Sequence, residues 1–216
     1  MEKAAIDSVI FDMDGTLWDA VDSYCKIWDT TFAEVGIVAP HVTREQLLTH
    51  MGQYLEQILA ALAPDAGDKL PELMARLEEN EKTMMKTLGG KLYPGAYETV
   101  EKLSKKYKLF MVSNCGEFGL DNFLDFTRLK PFFTDWLTHG GTRKPKAENI
   151  RDLVRRYNLK RPVYVGDTQG DADQAAAAGV EMIYASYGFG TVSHPDEVIP
   201  SITRLPEAIE LLDQKK

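Results

Sequence analysis

With 216 residues, 44% of them hydrophobic and 27% charged, the chain has the make-up of a soluble globular protein and room for one large domain or one domain with a sizeable insertion. Its net charge of −8, from 33 acidic against 25 basic residues, argues against nucleic acid or anionic membrane as a partner, and no stretch approaches the ~20 apolar residues of a membrane span. Cys25 and Cys115 stand far apart without CxxC spacing, which argues against a zinc cluster and for a reduced protein. The start MEKAAIDSVIF, with acidic residues and no long apolar run, does not read as a signal peptide, so a cytoplasmic protein is expected.

Residues 8–11 are predicted as a short buried strand, followed at once by DMDGT. Three helical stretches come next. Val21, Tyr24, Trp28, Phe32 and Val35 share one face. Leu48, Met51, Leu55, Ile58, Leu59 and Leu62 share another, behind a capping box at Thr43 and Gln46, and Leu70, Leu73, Leu77, Met84 and Leu88 mark the third. Gly89-Gly90 and Pro94-Gly95 then break the pattern, in the manner of a hinge. Beyond them apolar runs at 108–112, 135–138, 163–165 and 182–185 alternate with helix candidates near 95–106, 118–126, 147–157 and 171–178. Strands that alternate with helical crossovers give a parallel sheet covered on both faces. The expected organisation is an α/β core of residues 1–16 and 93–216, interrupted after its first strand by an all-helical cap of residues 17–92. That insertion falls where open α/β sheets bind ligands.

Four segments carry candidate chemistry. Asp12 and Asp14 follow the first strand, and a carboxylate there can act as a nucleophile that forms an aspartyl-phosphate. Asp167, in GDTQGD, follows another strand and brings a further carboxylate to the same sheet edge. Like charges ~4 Å apart repel by about 4 kcal/mol at an effective dielectric near 20, so a cation is required, and oxygen ligands favour Mg²⁺. Asp171 reads either as a group that supports the metal site or as the N-cap of the 171–178 helix, with Gln174 completing the box. Ser113 and Asn114 end a third strand with donors suited to phosphate oxygens. The loop Arg143-Lys144-Pro145-Lys146 supplies the cations that so acidic a protein needs for binding phosphate.

DMDGT, SN, KP and GDTQGD, in that order, resemble the haloacid dehalogenase-like hydrolases, above all the helical-capped phosphoglycolate phosphatase and β-phosphoglucomutase-like group. The resemblance spans Val9 to about Gly190. It implies a Rossmann-like sheet of order 3-2-1-4-5, Asp12 as nucleophile and Mg²⁺ ligand, and Asp14 as general acid and base that also gives its backbone carbonyl to the metal. It further implies Ser113 and Asn114 at the phosphate, Asp167 as the remaining ligand and a lysine that neutralises charge. Counting from Lys-Pro selects Lys144, the choice adopted here; counting back from Glu148-Asn149-Ile150 selects Lys146. The substrate implied is a small phosphorylated metabolite, hydrolysed by a monomer or weak dimer. A phosphosugar mutase is the alternative chemistry, and a non-catalytic phosphoacceptor or binding module the alternative of another class.

Overall fold

Val9, Ile10 and Phe11 are wholly buried, as a strand must be when it is covered on both faces. The computed structural model describes residues 4–38 and 41–215. Its chain runs from β1 (Ser8–Phe11) through the two-residue β2 (Trp18–Asp19) into four helices: α1 (Val21–Val35), α2 (Arg44–Leu48), α3 (Leu55–Leu62) and α4 (Leu70–Leu88). It returns by β3 (Lys91–Leu92), then α5 (Ala96–Ser104), β4 (Lys108–Ser113), α6 (Gly119–Thr127) and β5 (Asp135–Thr138). The last third holds α7 (His139–Thr142), α8 (Lys146–Tyr157), β6 (Pro162–Gly166), α9 (Gln169–Ala178), β7 (Glu181–Ala185), β8 (Glu197–Ile199) and α10 (Leu205–Gln214).

Six strands form one parallel sheet in the order β5-β4-β1-β6-β7-β8. Numbering its strands along the chain gives 3-2-1-4-5, the expected order, with a sixth strand added beyond. Alternate residues serve opposite faces. Val9, Phe11, Leu109, Met111, Val163 and Val165 join the core cluster that contains Val100, Phe123 and Ile209 of α5, α6 and α10. Ile10, Phe110, Val112 and Tyr164 join a second cluster with Ile150 and Leu153 of α8 and Ala175 of α9. The sheet is therefore covered on both faces, as predicted. Among the described residues no helix is long and apolar enough to cross a membrane.

The predicted second helix is in fact two. Thr43 does cap α2, its hydroxyl accepting from Gln46 N while the Gln46 side chain returns to Thr43 N, but the chain turns at Gly52 (φ 85°) before α3 begins. A left-handed glycine stops a helix that the apolar spacing alone would continue. The two segments that lead into and out of the helical region pair as an antiparallel ribbon, Trp18 opposite Leu92 and Asp19 opposite Lys91.

Candidate active site

Asp12 leaves β1 at the centre of the sheet, its N–H donating to Val165 O of β6 at 2.9 Å. A tight turn follows, with Leu17 N on Met13 O at 2.9 Å and Gly15 at φ 76°. Glycine is required at 15 on two counts: the backbone is left-handed, and a Cβ there would lie 2.1 Å from Asp167 Oδ2. The turn thus presses the first motif against the carboxylate at the end of β6. Asp14 is anchored by two donors, Trp18 Nε1 at 3.0 Å and the Tyr24 hydroxyl at 3.2 Å.

The lysine beside Asp12 is Lys146. Its ammonium lies 3.1 Å from Asp12 Oδ1 and 2.6 Å from Asp171 Oδ1, and the side chain is 2% exposed. Lys144, the residue preferred from the sequence, points elsewhere and pairs with Asp152 at 2.6 Å. The reason is helical phase. With Pro145 as N-cap, α8 begins at Lys146, which shares its buried face with Asn149, Ile150 and Leu153.

Asp171 is not an N-cap. The helix starts earlier: Thr168 is the cap, Asp171 is its third residue, and the two close a capping box, while the Gln174 side chain accepts from Ala147 N instead. Asp171 Oδ1 accepts from Lys146 and from the Tyr164 hydroxyl at 3.2 Å. Its Oδ2 accepts from Asp167 N, Thr168 N and Thr168 Oγ1 at 3.2, 3.0 and 2.7 Å. Both oxygens are saturated, which makes Asp171 the group that orients Lys146. Asp167, wholly buried, takes one strong bond from Phe189 N at 2.7 Å.

Ser113 ends β4 and faces the same space. The Asn114 amide reaches across to the helical region, donating to Gly52 O at 2.8 Å. Together with Asp12, Asp14 and Lys146 these residues line a cavity of about 100 Å³, roofed by α1 to α4 through Tyr24, Leu47, Ile58 and Met85. Gln53 lines this cavity from the turn between α2 and α3, whereas Arg44 of α2 pairs with Asp19 and Asp22. In the sequence Tyr24 and Tyr164 belong only to apolar pattern, since spacing gives no sign that a core tyrosine points its hydroxyl at a carboxylate.

Burial dominates the electrostatics. It lifts Asp12 to about 6 against the pull of Lys146, and lifts Asp167, beside Asp171 and Asp12, to about 8. Burial and the neighbouring Asp12 push Asp14 well above the usual carboxylate range. Asp171 is also desolvated, yet contact with Lys146 and the bonds from Thr168 hold it below that range. Lys146, despite its burial, is held protonated by its two carboxylates. Asp12, Asp167 and Asp171 each offer a carboxylate oxygen within 4.8 Å of the others. These hard oxygen donors, crowded against one ammonium, fit Mg²⁺, with Asp12 and Asp167 free to ligate because Asp171 is already committed.

The chain is similar in sequence and in fold to proteins of one family. Sequence relatives include the phosphoglycolate phosphatases of Pseudomonas syringae pv. tomato, 28% identical over 94% of this chain and 80% of that protein, and of Aliivibrio fischeri, 27% identical over 89% and 92%. The fold matches a haloacid dehalogenase-like family hydrolase from Streptococcus pneumoniae with a TM-score of 0.82 at 21% identity, over 94% of this chain and 97% of that one. The family model for haloacid dehalogenase-like hydrolases matches residues 9–185, and the chain belongs to that family.

Proposed function

We propose that this hydrolase cleaves a small phosphomonoester with Mg²⁺ through an aspartyl-phosphate on Asp12, beneath a helical cap formed by residues 17–92. It is a phosphatase, as its family and its phosphoglycolate phosphatase relatives indicate. The observation that carries the detailed reading is the convergence of Asp12, Asp14 and Ser113 on one cavity, with the Lys146 ammonium 3.1 Å from the Asp12 carboxylate.

Asp12 attacks phosphorus in line, and the bond to the ester oxygen breaks as Asp14 gives that oxygen its proton. A raised pKa suits this role, because Asp14 must hold a proton at neutral pH in order to donate one. Asp14 then takes a proton from water, which attacks the phosphorus and restores Asp12. Ser113 and the backbone amides of the turn after β4 hold the phosphoryl oxygens, and Lys146 balances charge on Asp12 and phosphate. Asp12 and Asp167, with the backbone carbonyl of Asp14, would hold Mg²⁺. When bound, that ion offsets the buried carboxylates and draws charge from the phosphoryl oxygens. The cap excludes bulk water and reads the leaving group.

Asp12→Asn keeps the shape and removes the nucleophile. Turnover of p-nitrophenyl phosphate should drop by about a thousandfold or more, with an unchanged circular dichroism spectrum. Turnover within about tenfold of wild type would overturn the assignment.

A further inference from the structure

Three carboxylates that the proposed reaction does not use line the cavity, Glu78, Glu81 and Glu117; Glu78 is paired with Arg143 and Glu117 is exposed, which leaves Glu81. Glu81 lines the cavity from α4. A Cβ built on Gly116 would lie 3.4 Å from Glu81 Oε2, which sets this carboxylate against the turn that follows β4. Asn122 of α6 fixes the helix there by donating its buried amide to the carbonyls of Glu81 and Lys82 at 3.2 and 3.3 Å. Tyr24, whose hydroxyl binds Asp14, lies in the field of both Asp14 and Glu81. Glu81 is therefore on the side of the cavity where the acid meets the leaving group.

Among the described residues nothing donates a hydrogen bond or ion pair to the Glu81 carboxylate. The cations nearby are engaged elsewhere. The Lys82 ammonium sits 4.5 Å over the Phe118 ring and 3.8 Å from Glu79, Arg143 spans Glu56 and Glu78, and Lys146 serves Asp12 and Asp171. A half-buried carboxylate without a partner is destabilised until something donates to it. Burial next to Glu78 accordingly raises Glu81 to about 7. A leaving group that carries a carboxylate would meet like charge here. One that carries an ammonium would meet its partner, with the aromatic rings of Tyr24 and Trp28 lining the same space.

We propose that Glu81 selects the leaving group, and that the enzyme takes phosphate esters of amino alcohols, whose ammonium the Glu81 carboxylate receives. This rests on the phosphatase reading above. The chemistry is unaltered: the phosphorus–oxygen bond breaks, Asp14 protonates the alcohol oxygen, and the amine leaves with its own proton.

The test compares three esters of similar size, aminoethyl phosphate, hydroxyethyl phosphate and phosphoglycolate, with p-nitrophenyl phosphate as reporter of phosphatase activity. Wild-type kcat/KM should favour aminoethyl phosphate over phosphoglycolate by about tenfold or more. In Glu81→Gln the ratio of aminoethyl to hydroxyethyl phosphate should fall by about tenfold, through KM, and a ratio is insensitive to any loss of folded protein. A wild-type preference for phosphoglycolate, or a ratio that Glu81→Gln leaves in place, would overturn the proposal. If p-nitrophenyl phosphate is not turned over, it is the phosphatase reading that fails. Calorimetric binding of the three esters to Asp12→Asn then decides the inference alone: tighter binding of aminoethyl phosphate than of phosphoglycolate upholds it, and the reverse order overturns it.

Discussion

Lys144 and Lys146 differ by two positions, about 200° around a helix of 3.6 residues per turn, so only one of them can face the sheet. The residues that follow decide which. Asn149, Ile150 and Leu153 lie three, four and seven positions beyond Lys146 and are all buried. That period is visible in the sequence, and counting from the proline passes over it. Lys146→Met should therefore cost about a thousandfold in kcat/KM, since it removes a desolvated charge at the reacting centre. Lys144→Met, which breaks an exposed pair with Asp152, should stay within about twofold; the opposite ranking would restore Lys144. The buried acids lead to a second test. Asp12 at about 6 and Asp167 at about 8 both bind a proton more tightly folded than unfolded, where a carboxyl titrates near ~3.9. Their contribution to stability is complete below that value and is lost as pH rises through about 6 and about 8. Asp171, held low, acts in the opposite sense and only as the pH falls below the ordinary carboxylate range. The chelated protein should thus melt several degrees lower at about pH 8 than at about pH 5, with Mg²⁺ restoring more of the loss at the higher pH. A melting temperature of the chelated protein that rises over this interval would refute it.

At the scale of elements, the strands and helices that alternate after Pro94 were legible because each is a short apolar run or a clear amphipathic face, and α4 was legible from its leucines. Helix α10 is absent from that reading although its buried Leu205, Ala208, Ile209 and Leu212 keep a helical period, and three other features were not legible. The strand β8 has Val198 exposed, so Glu197–Ile199 lacks the buried run that marked the other strands. The ribbon of β2 and β3 is two residues long on each side, too short for any period to show. The start of α9 lies two residues before the predicted one, because Thr168 competes with Asp171 for the cap and prevails by accepting from Asp171 N at 3.2 Å. Its hydroxyl also donates to Asp171 Oδ2 at 2.7 Å. Thr168→Val removes both bonds while keeping the volume. It should lower stability by about 1 kcal/mol for the lost cap. It should also lower kcat by more than that stability loss explains, because Asp171 holds Lys146. Thermal melts and kcat on p-nitrophenyl phosphate, measured on the same preparation, separate the two. A kcat equal to wild type would mean that Asp171 holds its position without the cap.

Across the whole molecule, the proposed lid was expected to swing on Gly89 and Gly90, but packing explains both glycines. Gly89, at φ 56° and ψ −160°, adopts backbone angles that side chains other than glycine's rarely allow. A Cβ on Gly90 would come within 2.7 Å of Ala20 and Trp18. Both linkers pair in the β2–β3 ribbon, so opening of the proposed lid would be resisted along the seam where helical region and core meet. Besides the Asn122 bonds to the α4 carbonyls, that seam is crossed by the Asn114–Gly52 hydrogen bond, the ion pairs of Arg143 with Glu56 at 3.3 Å and Glu78 at 3.5 Å, and Tyr54 stacked on His139 at 3.9 Å. The ion pairs are largely exposed, with Arg143 60% accessible, so solvent screens them and each contributes about 0–1 kcal/mol. The stacked pair excludes water between two rings and contributes about 0.5–1.5 kcal/mol beyond its area. If closure of the cap assembles the site, Tyr54→Ala should shift the balance toward the open form by about threefold to tenfold, and Arg143→Ala by less. Hydrogen exchange of α3 amides would read the opening directly. The loss in kcat/KM should be larger for a metabolite that fills the cap than for p-nitrophenyl phosphate. Equal effects of the two variants on exchange, or none, would move the closure to the Asn114–Gly52 bond beside the phosphate site and the Asn122 bonds to the Glu81 and Lys82 carbonyls. Binding of phosphate and closure of the cap would then be coupled through Asn114.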